Sequence, residues 1–231
     1  MAGGTLAIFD LDGTITRHDT LWPFIGGYLL RHPSRWWRLP MCLGPVLRYA
    51  FGGRDRGLLK GSVIRITLGG LPRETLERWA ARFTQRLLRT GLYAEPLELI
   101  ATLRGAQAHL VLLSASPDLY VPMIARALGF DECLCTELRW RPGGTLDGAL
   151  ATPNRRGPEK TRCVRELLAR LQPRLSQAYG NSPADVEHLR LVTAGVYVNG
   201  RPEAVADTPS IRVVRWSTPG DAGTFAAFRG L

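Results

Sequence analysis

Asp10 and Asp12 are the residues whose type and spacing most directly suggest chemistry. They stand one residue apart at the end of a short apolar run, Leu6 to Phe9, and Gly13 follows at once to allow a tight turn. Two carboxylates at the tip of a buried strand repel each other and add nothing to folding. They make physical sense together when a hard cation shares the site, so the chemistry implied is metal-assisted. The plainer reading is a strand end and an Asp-Gly turn, and residues further along decide between the two.

The elements that must position such a site alternate in kind. Residues 5–9 read as a buried strand. From about 17 to 104 the chain reads as successive helices: an apolar, aromatic stretch over Leu21 to Leu30, a mixed stretch over Arg31 to Gly52, and a clearer helix opened by Pro72. In that helix Leu76, Trp79, Ala80, Phe83 and Leu87 recur at helical spacing, with arginines on the other faces, until Gly91. Glu95 to Leu103 forms another helix, capped by Gly105. From 108 strands and helices alternate: a strand over 108–113 ending in Ser114, a helix from Ser116-Pro117 to Gly129, a strand over 133–138 and a hairpin over 139–150. There follow a helix from Pro158 to about Leu171, a strand over 177–179, a helix over 183–193, and strands over 196–198 and 211–216. The tail after Ser217 is expected to be mobile. This grammar predicts an α/β fold, a doubly wound parallel sheet whose ligands lie outside the carboxyl ends of its strands.

Four polar signals fall at such ends, in the order Asp10-x-Asp12-Gly-Thr, Ser114, Lys160 and Gly180-Asn181-Ser-x-x-Asp185. This order resembles the haloacid dehalogenase (HAD) superfamily. More narrowly, FDLDGT, LLSASPDLYV, NRRGPEK and AYGNSPADVEHL look like its subfamily IB, which contains phosphoserine phosphatase and bacterial phosphatidylglycerophosphatase C. The resemblance implies a Rossmann-like core over 1–16 and 105–231 and an inserted α-helical cap over 17–104. It also implies a Mg2+-dependent phosphatase acting through an aspartyl-phosphate.

Each role has a chemical reason. A phosphate monoester resists attack because its oxygens are already negative, so a positioned nucleophile and surrounding positive charge are needed. Asp10 is the candidate nucleophile, and Asp12 can protonate the leaving oxygen and later activate water. Ser114 would donate to a phosphate oxygen, the alternative role of capping the next helix being better filled by Ser116. Lys160, one of two lysines beside 28 arginines, would offset the charge of phosphate and nucleophile. Magnesium would be held by Asp10, Asp12 through its backbone carbonyl, Asn181 and Asp185. The commonest family pattern has aspartate where this chain has Asn181. An amide oxygen coordinates a hard cation without bringing charge, so weaker metal binding is expected.

Composition bounds the rest. The four cysteines form no CxxC pair and no cleavable leader precedes the first strand, which implies a reduced, cytoplasmic setting. The most apolar run, Leu39 to Phe51, is too short to span a bilayer and is broken by Pro40, Gly44, Pro45 and Arg48. His18, His32, His109 and His188 lack ligand spacing and read as structural or exposed. The net charge of +10 sits in one place, since residues 31–104 hold 14 basic against 5 acidic residues. The aromatic, arginine-rich stretch from Trp22 to Phe51 has two readings: it builds the core of the cap, or it lies at an anionic bilayer surface. The substrate is accordingly a small phosphate ester or a lipid head-group phosphate, with peripheral contact to the inner face of the membrane in the second case. Phosphoryl transfer to another acceptor is a second enzymatic reading, and a non-catalytic module binding anionic lipid through the basic cap is a third. Nucleic acid is not an expected partner, because no recognition module accompanies the charge.

Overall fold

The computed structural model describes residues 4–53, 55–208 and 210–217, so the expected mobile tail beyond Ser217 lies outside the described residues. Strand β1 (Thr5–Phe9) leads to five cap-region helices: α1 (Leu21–Arg31), α2 (Leu43–Phe51), α3 (Arg56–Leu68), α4 (Arg73–Thr90) and α5 (Ala94–Gly105), with a 3-10 segment over Pro33–Cys42. Then come β2 (His109–Pro117), α6 (Val121–Leu128), β3 (Glu132–Thr136) and the hairpin of β4 (Leu138–Trp140) and β5 (Leu146–Leu150). The chain closes with α7 (Pro158–Leu171), β6 (Leu175–Gly180), a one-turn α8 (Val186–Leu189), β7 (Ala194–Val198) and β8 (Ile211–Val214).

The main sheet is six-stranded and parallel in the order β3-β2-β1-β6-β7-β8. Strand β1 is therefore flanked by β2 on one side and β6 on the other, and its carboxyl end is the switch point where a doubly wound sheet binds ligands. Register sets the level of the site: Phe9 pairs with Leu112 and with Tyr179, so the residues following each converge just beyond the sheet edge.

Alternation along the strands splits the core between the two sheet faces. Ala7, Phe9, Leu110 and Leu112 join one buried cluster that continues into the cap through Phe24, Tyr28, Trp79 and Phe83. Leu6, Ile8, Val111 and Leu113 join the other, where Cys163, Val164 and Leu167 of α7 cover the sheet. Asp10 follows the parity of Leu6 and Ile8, towards the face that carries α7. Helix α5 lies against β2, and the β4–β5 hairpin lies against α3.

Three local expectations are corrected. Strand β2 runs on through Ser114 and Ser116 to Pro117, with an irregularity against β3, and the helix begins only at Val121 with Pro122 in its first turn. Ser116 is unavailable as a helix cap because its hydroxyl is committed elsewhere, as described below. The stretch after Pro183 is a short 3-10 turn and the single turn of α8 instead of a helix to Thr193. Finally, the stretch from Trp22 to Phe51, read either as cap core or as bilayer surface, divides: Phe24 and Tyr28 are buried in the cap, whereas no residue of the 3-10 segment or of α2 is buried. The cap interior is already filled by Phe24, Tyr28, Trp79 and Phe83, whose rings lie 5.2 to 6.5 Å apart where they meet.

Candidate active site

Lys160 joins two carboxylates that arrive from different elements. Its Nζ donates to Asp10 Oδ1 at 2.6 Å and to Asp185 Oδ1 at 2.8 Å, and all three side chains are buried. Each is placed by local chemistry. Asp10 is carried past the tip of β1, with its backbone N–H donating to Tyr179 O at 2.9 Å and its Oδ2 accepting from Thr14 Oγ1 at 3.2 Å. Lys160 stands in the first turn of α7, which Pro158 opens. Asp185 belongs to a capping box, in which its Oδ2 accepts from the backbone N–H and the hydroxyl of Ser182 at 2.9 and 2.7 Å. Gly180 permits this approach, since a Cβ there would lie 2.7 Å from the Cβ of Asp185.

One cation thus serves two acids, and their acidities separate. Burial raises the pKa of Asp10 to about 7 against the pull of Lys160. Burial also works to raise Asp185, but Lys160 and His188, with the Ser182 hydrogen bond, hold it well below the usual carboxylate range. Desolvation opposes the charge on Lys160, and the two carboxylates overcome it and push its pKa above the ordinary lysine value. His188 is buried and kept neutral, its pKa lowered to about 4 by burial and by Lys160.

Asp12 has separate partners. Strand β1 stops at Phe9, so Asp12 lies in the turn beyond it rather than on the strand face beside Asp10. Its Oδ1 accepts from the backbone N–H of Thr20 at 2.8 Å and the Thr20 hydroxyl at 2.6 Å, while Oδ2 accepts from Ser116 Oγ at 2.5 Å. The Tyr120 hydroxyl lies 2.9 Å from Thr20 Oγ1 and completes the network. Burial raises the pKa of Asp12 in spite of these hydrogen bonds, which favour its charged form. The result is a carboxyl oriented by three donors and biased towards holding a proton.

Asp10, Asp12, Lys160, Asn181 and Asp185 line one cavity of about 380 Å3. Ser114 is completely buried and does not line it. Its Oγ accepts the Ser116 N–H at 3.0 Å, which leaves its own O–H available. Several cavity residues were not anticipated from sequence. Lys60 reaches across from α3 to donate to Ala115 O at 2.5 Å and Asn154 Oδ1 at 3.0 Å, and Tyr49, Arg56 and Arg156 line the same space. The scarcity that singled out Lys160 applied equally to Lys60. For Ser116 the available signal was its position two residues after Ser114 at a strand end.

The donor set fits a hard cation. Among the described residues no three His, Cys, Asp or Glu side chains cluster for a metal. The oxygen-bearing residues lining the cavity include Asp10, Asp12, Asn181 and Asp185, all of the kind magnesium takes, with no soft ligand among them. The Asn181 side chain is accommodated because residue 13 is glycine with φ +78°, where a Cβ would lie 2.0 Å from Asn181 Nδ2.

Residues 7–190 match the haloacid dehalogenase-like hydrolase family. The chain is 33% identical over 186 residues to the protein CicA of Caulobacter vibrioides (strain NA1000 / CB15N), covering 80% of this chain and 82% of that one. A crystal structure of a protein of unknown function from Bordetella pertussis Tohama I superposes with a TM-score of 0.77 at 22% identity, over 92% of this chain and 99% of that one. A phosphoserine phosphatase captured as a phospho-aspartyl intermediate analogue gives 0.62 at 16% identity, over 92% and 94% of the two chains. At these identities the structural likenesses speak for the fold.

Proposed function

Because this chain belongs to the haloacid dehalogenase-like hydrolases, we propose that it is a magnesium-dependent phosphatase that cleaves a phosphate monoester through an aspartyl-phosphate on Asp10. In this reading residues 1–16 and 105–231 are the catalytic core and 17–104 the cap. The observation that carries it is the division of labour between two acids in one cavity. Asp10 is ion-paired with Lys160, whereas the Asp12 carboxylate is held by the Thr20 and Ser116 hydroxyls and is in no ion pair among the described residues.

A carboxylate oxygen of Asp10 bonds to phosphorus as the bond from phosphorus to the ester oxygen breaks, and Asp12 gives its proton to the departing oxygen. Water then yields a proton to Asp12 and bonds to phosphorus. The bond from Asp10 to phosphorus breaks, inorganic phosphate leaves, and both acids return to their starting states. Lys160 neutralises negative charge throughout, while Ser114, buried behind the cavity wall, holds the backbone N–H of Ser116 instead of reaching the phosphate. Asp10, Asp185, Asn181 and the Asp12 carbonyl would hold magnesium, whose charge would stabilise the transferring phosphoryl group. That added charge matters because burial raises the pKa of Asp10 to about 7 even with Lys160 pulling it down.

The substrate is a small phosphate ester or a lipid head-group phosphate, and the protein works in the cytoplasm or against the inner face of the membrane. The test of the chemistry is release of phosphate from an aryl phosphate, dependent on magnesium and abolished in Asp10→Asn. Equal rates in the two proteins would remove Asp10 from the mechanism.

A further inference from the structure

The cap carries a surface that the catalytic reading does not use. Among the described residues, large hydrophobic side chains left exposed are concentrated in one stretch: eight of the twelve lie between Trp36 and Phe51. Phe51 is 87% exposed and Trp37 66%. Scattered exposed leucines need no explanation, but a contiguous stretch with no buried member does. The same stretch is one-sided in charge. From His32 to Gly53 there is no Asp or Glu, while Arg35, Arg38 and Arg48 fall within it.

This surface is fixed in place by its polar groups. Trp36 Nε1 donates to Leu29 O at 2.8 Å, and Arg35 and Arg38 donate to Gly69 O at 2.9 and 3.1 Å. The inward-reaching polar groups hold the segment to the cap body, so its apolar side chains are presented outwards. The surface also leads into the cavity. Tyr49 of α2 lines the cavity and accepts from Arg56 Nε at 3.3 Å, and the half-exposed Trp22 lines it too.

We propose that residues 33–51 form an interfacial docking face that seats the cap on an anionic phospholipid bilayer, with the cavity opening beside that surface. Aromatic and aliphatic side chains beside the exposed Arg48 match the two layers of such an interface, the apolar groups entering the headgroup boundary and the Arg48 guanidinium meeting lipid phosphate. Charge argues against self-association as the occupant. A two-fold contact between copies would set the same basic patch against itself, with no acidic residue from 32 to 53 to pair with it. No helix among the described residues is long and apolar enough to cross a membrane, so contact of this kind lies on the surface. The docking stands by itself. Its consequence, that the substrate is a phosphomonoester presented at a lipid surface, rests on the phosphatase reading above.

The experiment is co-sedimentation of the full chain with vesicles of phosphatidylcholine alone or mixed with phosphatidylglycerol, at low and high salt. Wild type and Asp10→Asn are expected to partition equally onto the mixed vesicles at low salt and to be released by high salt. Trp37→Ser combined with Phe51→Ser is expected to partition at least about tenfold less. Arg48→Glu should weaken binding in the same direction, and both variants should keep wild-type turnover of a soluble aryl phosphate. Binding without any aryl-phosphate turnover in wild type would support docking while removing the catalytic reading. Absence of wild-type partitioning at low salt, or undiminished partitioning of the double variant, would overturn the proposal. So would a dimer of wild type that the double variant dissolves, since that would give the face to a second copy.

Discussion

Asn181 occupies the space that a side chain on Gly13 would require: a Cβ built at residue 13 would sit 2.0 Å from Asn181 Nδ2. Two motifs separated by most of the chain are therefore sterically coupled at the cavity. With φ +78° and the Asn181 amide 2.0 Å from where a Cβ would sit, a side chain at residue 13 would strain the backbone and force Asn181 to move. Gly13→Ser is expected to cost about 1–2 kcal/mol from the left-handed backbone alone and to displace Asn181 from the cavity. Denaturant unfolding should show the first effect and a raised magnesium requirement the second. Wild-type behaviour in both measurements would break the link between the two residues.

Asn181→Asp tests the metal role from the other side. The substitution preserves side-chain shape and adds a charge where a hard cation would sit, so the magnesium concentration giving half-maximal turnover should fall. A magnesium titration of both proteins decides it, and an unchanged requirement would show that Asn181 is not a ligand.

Ser116→Ala should separate orientation from folding. The Ser116 hydroxyl donates to Asp12 at 2.5 Å, and a hydrogen bond to the charged form of an acid lowers its pKa. Its removal is expected to move the pH–rate limb governed by Asp12 upwards. Turnover should fall by about tenfold to a hundredfold, the scale of losing the alignment of a reacting group. A pH–rate profile that keeps its shape and height would show that Ser116 does not position Asp12.

Lys160→Met leaves Asp10 and Asp185 buried without their shared cation. Breaking a buried pair by deleting one partner costs on the order of 3–5 kcal/mol. The variant should therefore unfold at markedly lower denaturant concentration. Added magnesium should recover part of the loss if those carboxylates are metal ligands, and identical loss with and without magnesium would argue that they are not.

What the sequence disclosed, and what it withheld, follows from the range of the forces involved. Strand β1 with Asp10 at its tip and helix α7 with Lys160 in its first turn are set by local periodicity, a proline and strand-end polarity, and they stand where expected. The parallel sheet followed from alternating elements. The end of β2 did not, because the hydroxyl that would have capped a helix at Ser116 is taken by Asp12, 104 residues earlier. The aromatics of 33–51 were ambiguous for a different reason. Composition is the same whether Trp36 and Trp37 face inwards or outwards, and the outcome turns on Phe24, Tyr28, Trp79 and Phe83 having filled the cap interior first. Lys60 was hidden because both of its acceptors are distant in sequence, at Ala115 and Asn154.

That lysine yields a prediction with a definite sign. Burial pushes the pKa of Lys60 down to about 8 from the ordinary 10.5, although Asp12 and Asp19 pull the other way. Below pH 8 the side chain is charged in both folded and unfolded protein, so the desolvation penalty on the fold is present in full. Between 8 and 10.5 the folded chain gives up the proton that the unfolded chain still holds, so the unfolded state binds more protons and stability gains a positive slope with pH. Lys60→Met removes that contribution. Urea unfolding of wild type and variant should show the stability difference moving in favour of wild type between about pH 7 and about pH 10. Other groups titrate in this window, but they do so in both proteins and cancel in the difference. Parallel curves would mean that Lys60 titrates alike in the folded and unfolded chains, and that its contacts with Ala115 and Asn154 do not hold a desolvated charge between cap and core.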